Sequence, residues 1–302
     1  MPKARTGAAA FVACAVAIFW PGAFIFGFPG VLGSYWQQAF EVGRAEVGKS
    51  LFFVLAGAGS FMYLTGRWQE RLGFPRVTAL GALACGGSAV LLGFARGMGT
   101  VYAWAFLVGA ASAFIYIPAL TVVQRWYPQR RGLVSGVVNM VFGLSAAAMS
   151  PLYPYFLSQM GYQAMTLAMG LIATGIGLVA AVFIRLPRLQ QTAGVLQSPA
   201  AISPPPSLTV RQTLKTRVFW FLWLTWALAG AAGISMVFLA TPFGVERGFS
   251  IQKAVILQAA FNFTSGFLLD LTNGNFKMVF TYLGSLYIVA AILIWFVRPR
   301  RQ

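Results

Sequence analysis

The sequence has few charged residues and very few acids. Of its 302 residues, 9% are charged and 59% are hydrophobic, with 5 Asp and Glu and no His. Soluble domains carry about one-quarter charged residues, so the composition excludes a soluble fold. No apolar stretch holds an acid pair or a nucleophile beside a base, and the most common general base is absent. The sequence therefore argues against an enzyme and predicts no catalytic residues.

Cysteine is almost absent too. The two cysteines, Cys14 and Cys85, lie in separate apolar stretches, far apart and without the spacing of metal ligands. We interpret both as packing residues. The sequence accordingly predicts neither a metal site nor a cofactor.

Long stretches without any charge are what the sequence does contain. A helix needs about 20 apolar residues to cross the hydrocarbon core of a bilayer. Uncharged runs occupy residues 6–40, 50–66, 77–95, 97–124, 132–184, 218–245, 254–269 and 278–297. The run 132–184 is long enough for two spans, with a hinge predicted at LSQMGYQ (157–163). These runs predict an all-α membrane protein of about eight spans.

The layout predicts three regions. Residues 1–184 form a six-helix N-terminal half, and residues 185–217, rich in Pro, Ser and Gln, form a cytoplasmic linker. Residues 218–302 form a shortened C-terminal part. It contains a span at 218–243, a short segment at 254–269 that does not cross, and a span at 278–297.

The positions of the bases predict the orientation, since cytoplasmic loops retain Lys and Arg. With the N-terminus inside, the inner face collects Lys3, Arg5, Arg67, Arg71, Arg76, Arg125, Arg130, Arg131, Arg185, Arg188, Arg211, Lys215 and Arg217. An even number of spans also places the basic C-terminus inside, so we expect both termini to be cytoplasmic. Topology thus explains the net charge of +17, and we predict no nucleic-acid partner.

Residues 66–76 read GRWQERLGFPR and gather one acid and three bases in one turn. One interpretation is a solvated cytoplasmic loop. The spacing of Gly66, Glu70, Arg71, Gly73 and Arg76 also resembles the loop between the second and third helices of the major facilitator superfamily, with Glu replacing the usual Asp. The resemblance implies a gating latch, in which Gly66 permits close helix approach and Glu70 accepts hydrogen bonds. Its predicted partners are a helix N-terminus or the bases of the next cytoplasmic loop, Arg125, Arg130 and Arg131.

A second stretch, QRWYPQRRGLVSGVVNMVFGLSAAAMSP (124–151), resembles the fourth-to-fifth helix region of the oxalate/formate antiporter and monocarboxylate transporter branch of that superfamily. The family has two six-helix halves around a central site. The comparison implies that most of helices eight to eleven is missing here. The Arg that monocarboxylate members carry in the eighth helix has no counterpart, and its role is not transferred to Lys253 or Asp270.

Polar and aromatic groups within the spans are the candidate substrate-binding residues. Tyr116 lies mid-span beside Pro118, and Asn139 is a mid-span amide that needs a hydrogen-bond partner. Further candidates are Phe142 and Gly143, on the same face as Asn139, and Gly27 and Phe28 of a bent first span. The alternative for Tyr116 and Asn139 is an ordinary buried hydrogen bond, and for the aromatics it is core packing.

The resemblance implies proton-coupled, alternating-access transport of small monocarboxylates such as lactate or pyruvate. Exchange of oxalate and formate is the alternative. A truncated, non-transporting membrane scaffold is a third reading, because the carboxylate-pairing Arg is absent. The expected partners are a small organic anion, a proton and the lipid bilayer, and the expected location is a bacterial plasma membrane.

Overall fold

A computed structural model describes residues 2–149, 151–187, 210–216 and 219–220, together with single positions 281, 285 and 288. All regular elements within these residues are helical. They are α1 (Pro2–Gly22), a π-helical turn (Ala23–Gly27), α2 (Phe28–Ala39), α3 (Arg44–Leu72), α4 (Phe74–Leu92), α5 (Met98–Trp126), α6 (Arg131–Met149), α7 (Leu152–Phe183) and the short α8 (Val210–Leu214).

Five helical segments in the described part are long and apolar enough to cross a membrane. They are Thr6–Ala39, Ala45–Leu72, Phe74–Leu92, Met98–Trp126 and Leu152–Phe183. Their outward surfaces are apolar, since Phe52, Leu171 and Val179 each expose more than half of their side chain. Such surfaces are stable against lipid tails and not against water. The prediction of an all-α membrane protein is confirmed at this level.

The predicted hinge lies within α7. Gly161 has φ 77° and ψ 172°, a non-helical conformation that favours glycine, and it interrupts the helix inside LSQMGYQ. After the break, the Tyr162 hydroxyl donates to the carbonyl of Leu92 at the end of α4. Fifteen residues later, Gly177 packs on Ala82, earlier in α4. The second part of α7 therefore runs antiparallel to α4.

The first part of α7 runs the other way. Phe142 of α6 packs on Gly22, and Tyr153 at the start of α7 packs on Gly27, so the chain follows α1 in its own direction. The chain thus reverses at Gly161, as a hairpin of two spans requires. We call the end of this bundle that carries Arg125 the basic end, and the opposite end the far end.

Close helix packing is achieved at glycines. A Cβ on Gly57 of α3 would overlap the carbonyl of Phe106 on α5, and a Cβ on Gly109 of α5 would overlap the carbonyl of Val54 on α3. Small residues let helix backbones approach in this way within membranes, where packing rather than the hydrophobic effect holds helices together. α3 and α5 therefore form one of the tight pairs of the bundle.

The first span bends through a π-helical turn. The bend predicted in the first span lies at Ala23–Gly27, and Pro29 follows two residues later, near the start of α2. Proline lacks an amide hydrogen and its ring clashes with the carbonyl four residues earlier, here that of Ile25. A wider turn at this point accommodates the ring, and helix kinks commonly occur at such π-bulges.

The rest of the predicted layout lies mostly outside the described residues. A second compact unit contains α8, after which the indole of Trp220 donates to the carbonyl of Leu214 over 2.9 Å. The predicted linker 185–217 is described only at its two ends. The segments 218–243 and 254–269 and the span 278–297 lie outside the described residues except at the single positions given above.

Candidate functional site

Tyr116 and Asn139, two candidates from the sequence, are in direct contact. The Tyr116 hydroxyl on α5 donates to the Asn139 side-chain oxygen on α6 over 2.5 Å. Both side chains are half-buried. The interhelical hydrogen bond that formed the structural interpretation is therefore present, and both residues also retain solvent-accessible surface. Substrate contact by the pair stays a prediction.

Two phenylalanines frame this pair. The Phe142 ring lies 5.9 Å from the Tyr116 ring and 5.3 Å, edge-to-face, from that of Phe26 in the π-helical turn. Gly143 is half-buried beside Phe142. We call the group Phe26, Tyr116, Asn139 and Phe142 the polar-aromatic cluster. It joins α5, α6 and the bend of the first span.

The hydrogen bond between Tyr116 and Asn139 determines which polar groups of the cluster remain free. Because the side-chain oxygen of Asn139 accepts from Tyr116, its amino group keeps two N–H donors, for which the described residues provide no acceptor. The edges of the flanking Phe rings are also electropositive. No charged side chain lies in the apolar runs 77–95, 97–124 and 132–184. The cluster therefore offers dipoles suited to an anion, without a fixed cation of its own.

Gly27 and Phe28 lie in the interior of the bundle in this structure, and not beside the cluster. Phe28 is 0% exposed and packs on Phe24 at 4.7 Å and on Tyr153 at 4.8 Å between ring centroids. Gly27 is also buried, and a Cβ there would lie 2.7 Å from the Tyr153 ring. Phe26 and Phe28 are two positions apart and therefore point to opposite sides of the helix, Phe26 to the cluster and Phe28 to the core. Both residues act here as packing residues.

The core behind Phe28 contains unpaired polar atoms. The Tyr153 hydroxyl and the Trp104 indole nitrogen are buried and form no hydrogen bond within the described part of the chain. Their rings lie 4.8 and 6.0 Å from that of Phe28. Groups of this kind are uncommon in folded proteins, because an unpaired buried donor costs about 1–3 kcal/mol.

The charged turn joins α3 to α4 at the basic end. Gly73 has φ 86°, a left-handed conformation that explains the glycine, and Pro75 follows at the start of α4. Gly66 differs from expectation, because no described atom would lie within 4 Å of a Cβ there. The described residues do not make the close helix approach predicted for Gly66, which stays a prediction.

The predicted partners of Glu70 are not in contact with it in this structure. Glu70 is exposed, as are Arg71, Arg125, Arg130 and Arg131. Within residues 2–149 and 151–187 the salt bridge present joins Lys49 to Glu46 at the far end. The physical reason is that exposed arginines gain little from an ion pair in water and lose side-chain entropy. The gating role of the turn stays a prediction.

Several contacts of the site were not predicted from the sequence. Gln124 of α5 donates to the Ser135 hydroxyl of α6 over 2.9 Å, a second polar link between the helices that hold Tyr116 and Asn139. Phe26, the sequence neighbour of Gly27, was not predicted either. A signal existed for Gln124, as a polar residue near the end of a span. None existed for Phe26, because it is one of many aromatic residues in apolar runs.

A curated relative, the oxalate:formate antiporter of Oxalobacter formigenes, is 27% identical over 188 residues, which cover 60% of this chain and 44% of the relative. The match thus spans less than half of that protein's length. The family model of the Major Facilitator Superfamily matches residues 7–301, nearly the whole chain. The chain is therefore an integral membrane protein of the transporter type and belongs to the Major Facilitator Superfamily.

Proposed function

We propose that the protein exchanges small carboxylate anions across a membrane by alternating access, as its antiporter relative is named for doing with oxalate and formate. The observation that carries the proposal is the Tyr116–Asn139 hydrogen bond. It leaves amide donors on a half-buried, uncharged surface, where N–H groups bind an anion more strongly than in water. Lactate and pyruvate symport, the first expectation from the sequence, has less support, because the relative is an exchanger.

The topology belongs to the same proposal. We propose that residues 1–184 cross the membrane six times, with the Gly161 hairpin joining the fifth and sixth crossings, and that the basic end is cytoplasmic because cytoplasmic loops retain Lys and Arg. About eight crossings in the whole chain put both termini there, in the plasma membrane of a bacterium. A carboxylate at the cluster still needs a cation for tight binding, and we propose that this cation lies outside the described residues.

Counterflow in proteoliposomes tests the exchange. Vesicles loaded with unlabelled oxalate and diluted into labelled oxalate or formate should accumulate label without a proton gradient. Uptake of labelled lactate driven by an inward proton gradient tests the competing mechanism, symport. Accumulation that requires the gradient and ignores the internal anion would refute exchange, and failure to move any small carboxylate would leave the scaffold reading standing.

A matched pair of variants tests the site. Asn139→Leu and Gln124→Leu each delete one α5–α6 hydrogen bond, which is worth about 0.6 kcal/mol on average in membranes. We expect Asn139→Leu to lower anion affinity at least tenfold and Gln124→Leu to change it less than threefold, since amide donation to a charge contributes about 1.5–3 kcal/mol. Equal effects would assign Asn139 a purely structural role.

A further inference from the structure

The basic end carries a dense group of arginines that the charged turn alone does not explain. The exposed members are Arg67, Arg71, Arg76, Arg125, Arg130, Arg131 and Arg185. Among the described residues, Glu70, also exposed, is the acid at this end. None of these arginines forms a salt bridge with a carboxylate in the described ranges.

The rest of the chain has too few acids to neutralise them. Of the 5 acids, Glu41 and Glu46 lie at the far end, which leaves Glu70, Glu246 and Asp270. Those three carboxylates would face seven arginines even if all of them reached the basic end. The linker adds bases and no acid. The counter-charge must therefore come from outside the protein.

Two of the arginines lie at helix ends that Trp126 ties together. The indole of Trp126, adjacent to Arg125, donates to the backbone carbonyl of Arg185 over 2.8 Å. The Nε of Arg185 donates to the carbonyl of Val182 over 2.8 Å, and this bond holds the guanidinium at the end of α7. The Trp126 ring itself is backed by Gly7 of α1. Trp126 thus holds the end of α7, with Arg185, against the end of α5, where Arg125 is its sequence neighbour.

An exposed apolar surface begins directly beside it. Val179, Val182 and Phe183 of α7 expose 63%, 52% and 53% of their surface. Phe183 lies two positions before Arg185, so a cation follows directly on this apolar helix face. Tryptophan at the end of a span, as Trp126 is at the end of α5, is typical of the membrane interface.

We propose that Arg125 and Arg185 bind the phosphate of an anionic phospholipid, whose acyl chains lie on Val179, Val182 and Phe183. Arginine forms paired hydrogen bonds to phosphate oxygens, and clustered bases next to spans attract anionic lipids. A soluble phosphate compound shares the headgroup chemistry, but it would not use the apolar surface. The lipid is therefore the occupant that matches both parts of the site.

Native mass spectrometry of the full chain in detergent tests the proposal, with phosphatidylglycerol and phosphatidylcholine of identical acyl chains as probes. The wild-type protein should retain phosphatidylglycerol more tightly. The Arg125→Gln/Arg185→Gln pair should weaken that binding on the order of tenfold, since each surface base contributes a severalfold factor. Phosphatidylcholine binding should not change. The control pair Lys49→Gln/Arg96→Gln removes the same charge at the far end and should leave phosphatidylglycerol affinity within twofold.

Two further measurements distinguish a bound lipid from a soluble phosphate compound. Glycerophosphoglycerol, the headgroup without acyl chains, should fail to displace the lipid, and Phe183→Ser should weaken lipid binding while both arginines remain. If the glutamine pair does not fold, the Arg125→Lys/Arg185→Lys pair gives the same readout, with a smaller loss. Equal retention of the two lipids, unchanged binding in the arginine variants, or displacement by glycerophosphoglycerol would overturn the proposal. Lipid binding is independent of transport, so its failure leaves the exchange proposal intact.

Discussion

The indole of Trp36 donates to the hydroxyl of Tyr162 over 3.2 Å, and that hydroxyl donates to the carbonyl of Leu92 over 2.8 Å. The contact joins residues 126 positions apart in the sequence. It links α2, the hairpin after Gly161 and the end of α4 through one oxygen atom. The Tyr162 ring is also stacked on Tyr35 at 4.6 Å. The far end of the bundle is thereby closed around a single tyrosine.

Tyr162→Phe should loosen this closure. The change removes two hydrogen bonds at once, each worth about 0.5–1.5 kcal/mol, and leaves the Trp36 donor without an acceptor. We expect a lower thermal unfolding midpoint in detergent and faster thiol labelling of a Ser34→Cys probe at the far end. Tyr155→Phe, which removes an exposed hydroxyl from the same helix, is the control and should do neither. Equal behaviour of the two variants would show that the Tyr162 link is dispensable.

Gly22→Ala should destabilise the contact between α1 and α6. A Cβ at residue 22 would overlap the Phe142 carbonyl and lie 2.5 Å from the Ser145 hydroxyl, and overpacking of this kind costs about 1–3 kcal/mol. Gly30→Ala in α2 meets no atom within 4 Å and should stabilise the helix by up to about 1 kcal/mol. Thermal unfolding of the purified variants checks the opposite signs. A Gly22→Ala protein as stable as wild type would mean that α6 can move away without cost.

Tyr102 and Glu46 should be energetically coupled. The Tyr102 hydroxyl on α5 donates to the Glu46 carboxylate on α3 over 2.7 Å, and Lys49 donates to the other carboxylate oxygen. A double-mutant cycle of Tyr102→Phe and Glu46→Gln should give a coupling of about 0.5–1.5 kcal/mol in unfolding free energy. Additive effects would assign the contact no net stabilisation.

Glu70→Gln should leave stability within about 0.5 kcal/mol of wild type, because the side chain is exposed and forms no ion pair among the residues described. The gating latch expected from the sequence predicts an additional effect. It requires that Glu70→Gln raise the labelling of cysteine probes near Asn139 from the basic end. Unchanged stability together with raised labelling would locate the latch in another conformation of the protein. Unchanged labelling would leave the turn as a topological signal.

The parts of the fold that hydrophobic length determines were predictable from the sequence. The uncharged runs located the long helices, and a glycine within a polar break located the Gly161 hairpin. Tyr116 and Asn139 were also predictable, because a polar group in the middle of a span must find a partner. Their mutual contact was not, since no pattern within a single helix specifies which neighbour it faces.

Other candidate residues have different surroundings in the described bundle. Phe28 was a candidate for substrate binding with core packing as the alternative, and it packs in the core on Phe24 and Tyr153. The Gly66 and Glu70 contacts were expected from family resemblance, and helix packing in the described bundle does not bring other groups to them. Close approach is instead made at Gly57 and Gly109, whose role is indistinguishable from that of Gly66 in the sequence alone.

The π-helical turn at Ala23–Gly27 also acts as a one-residue phase offset in the first span. A regular helix rotates successive side chains by about 100°, so the extra residue turns everything from Phe28 to Ala39 by roughly that angle relative to α1. The two ends of the span can then satisfy different neighbours, with Phe26 set against Phe142 and Trp36 against Tyr162. A straight helix of the same sequence would have to give up one of these contacts to keep the other.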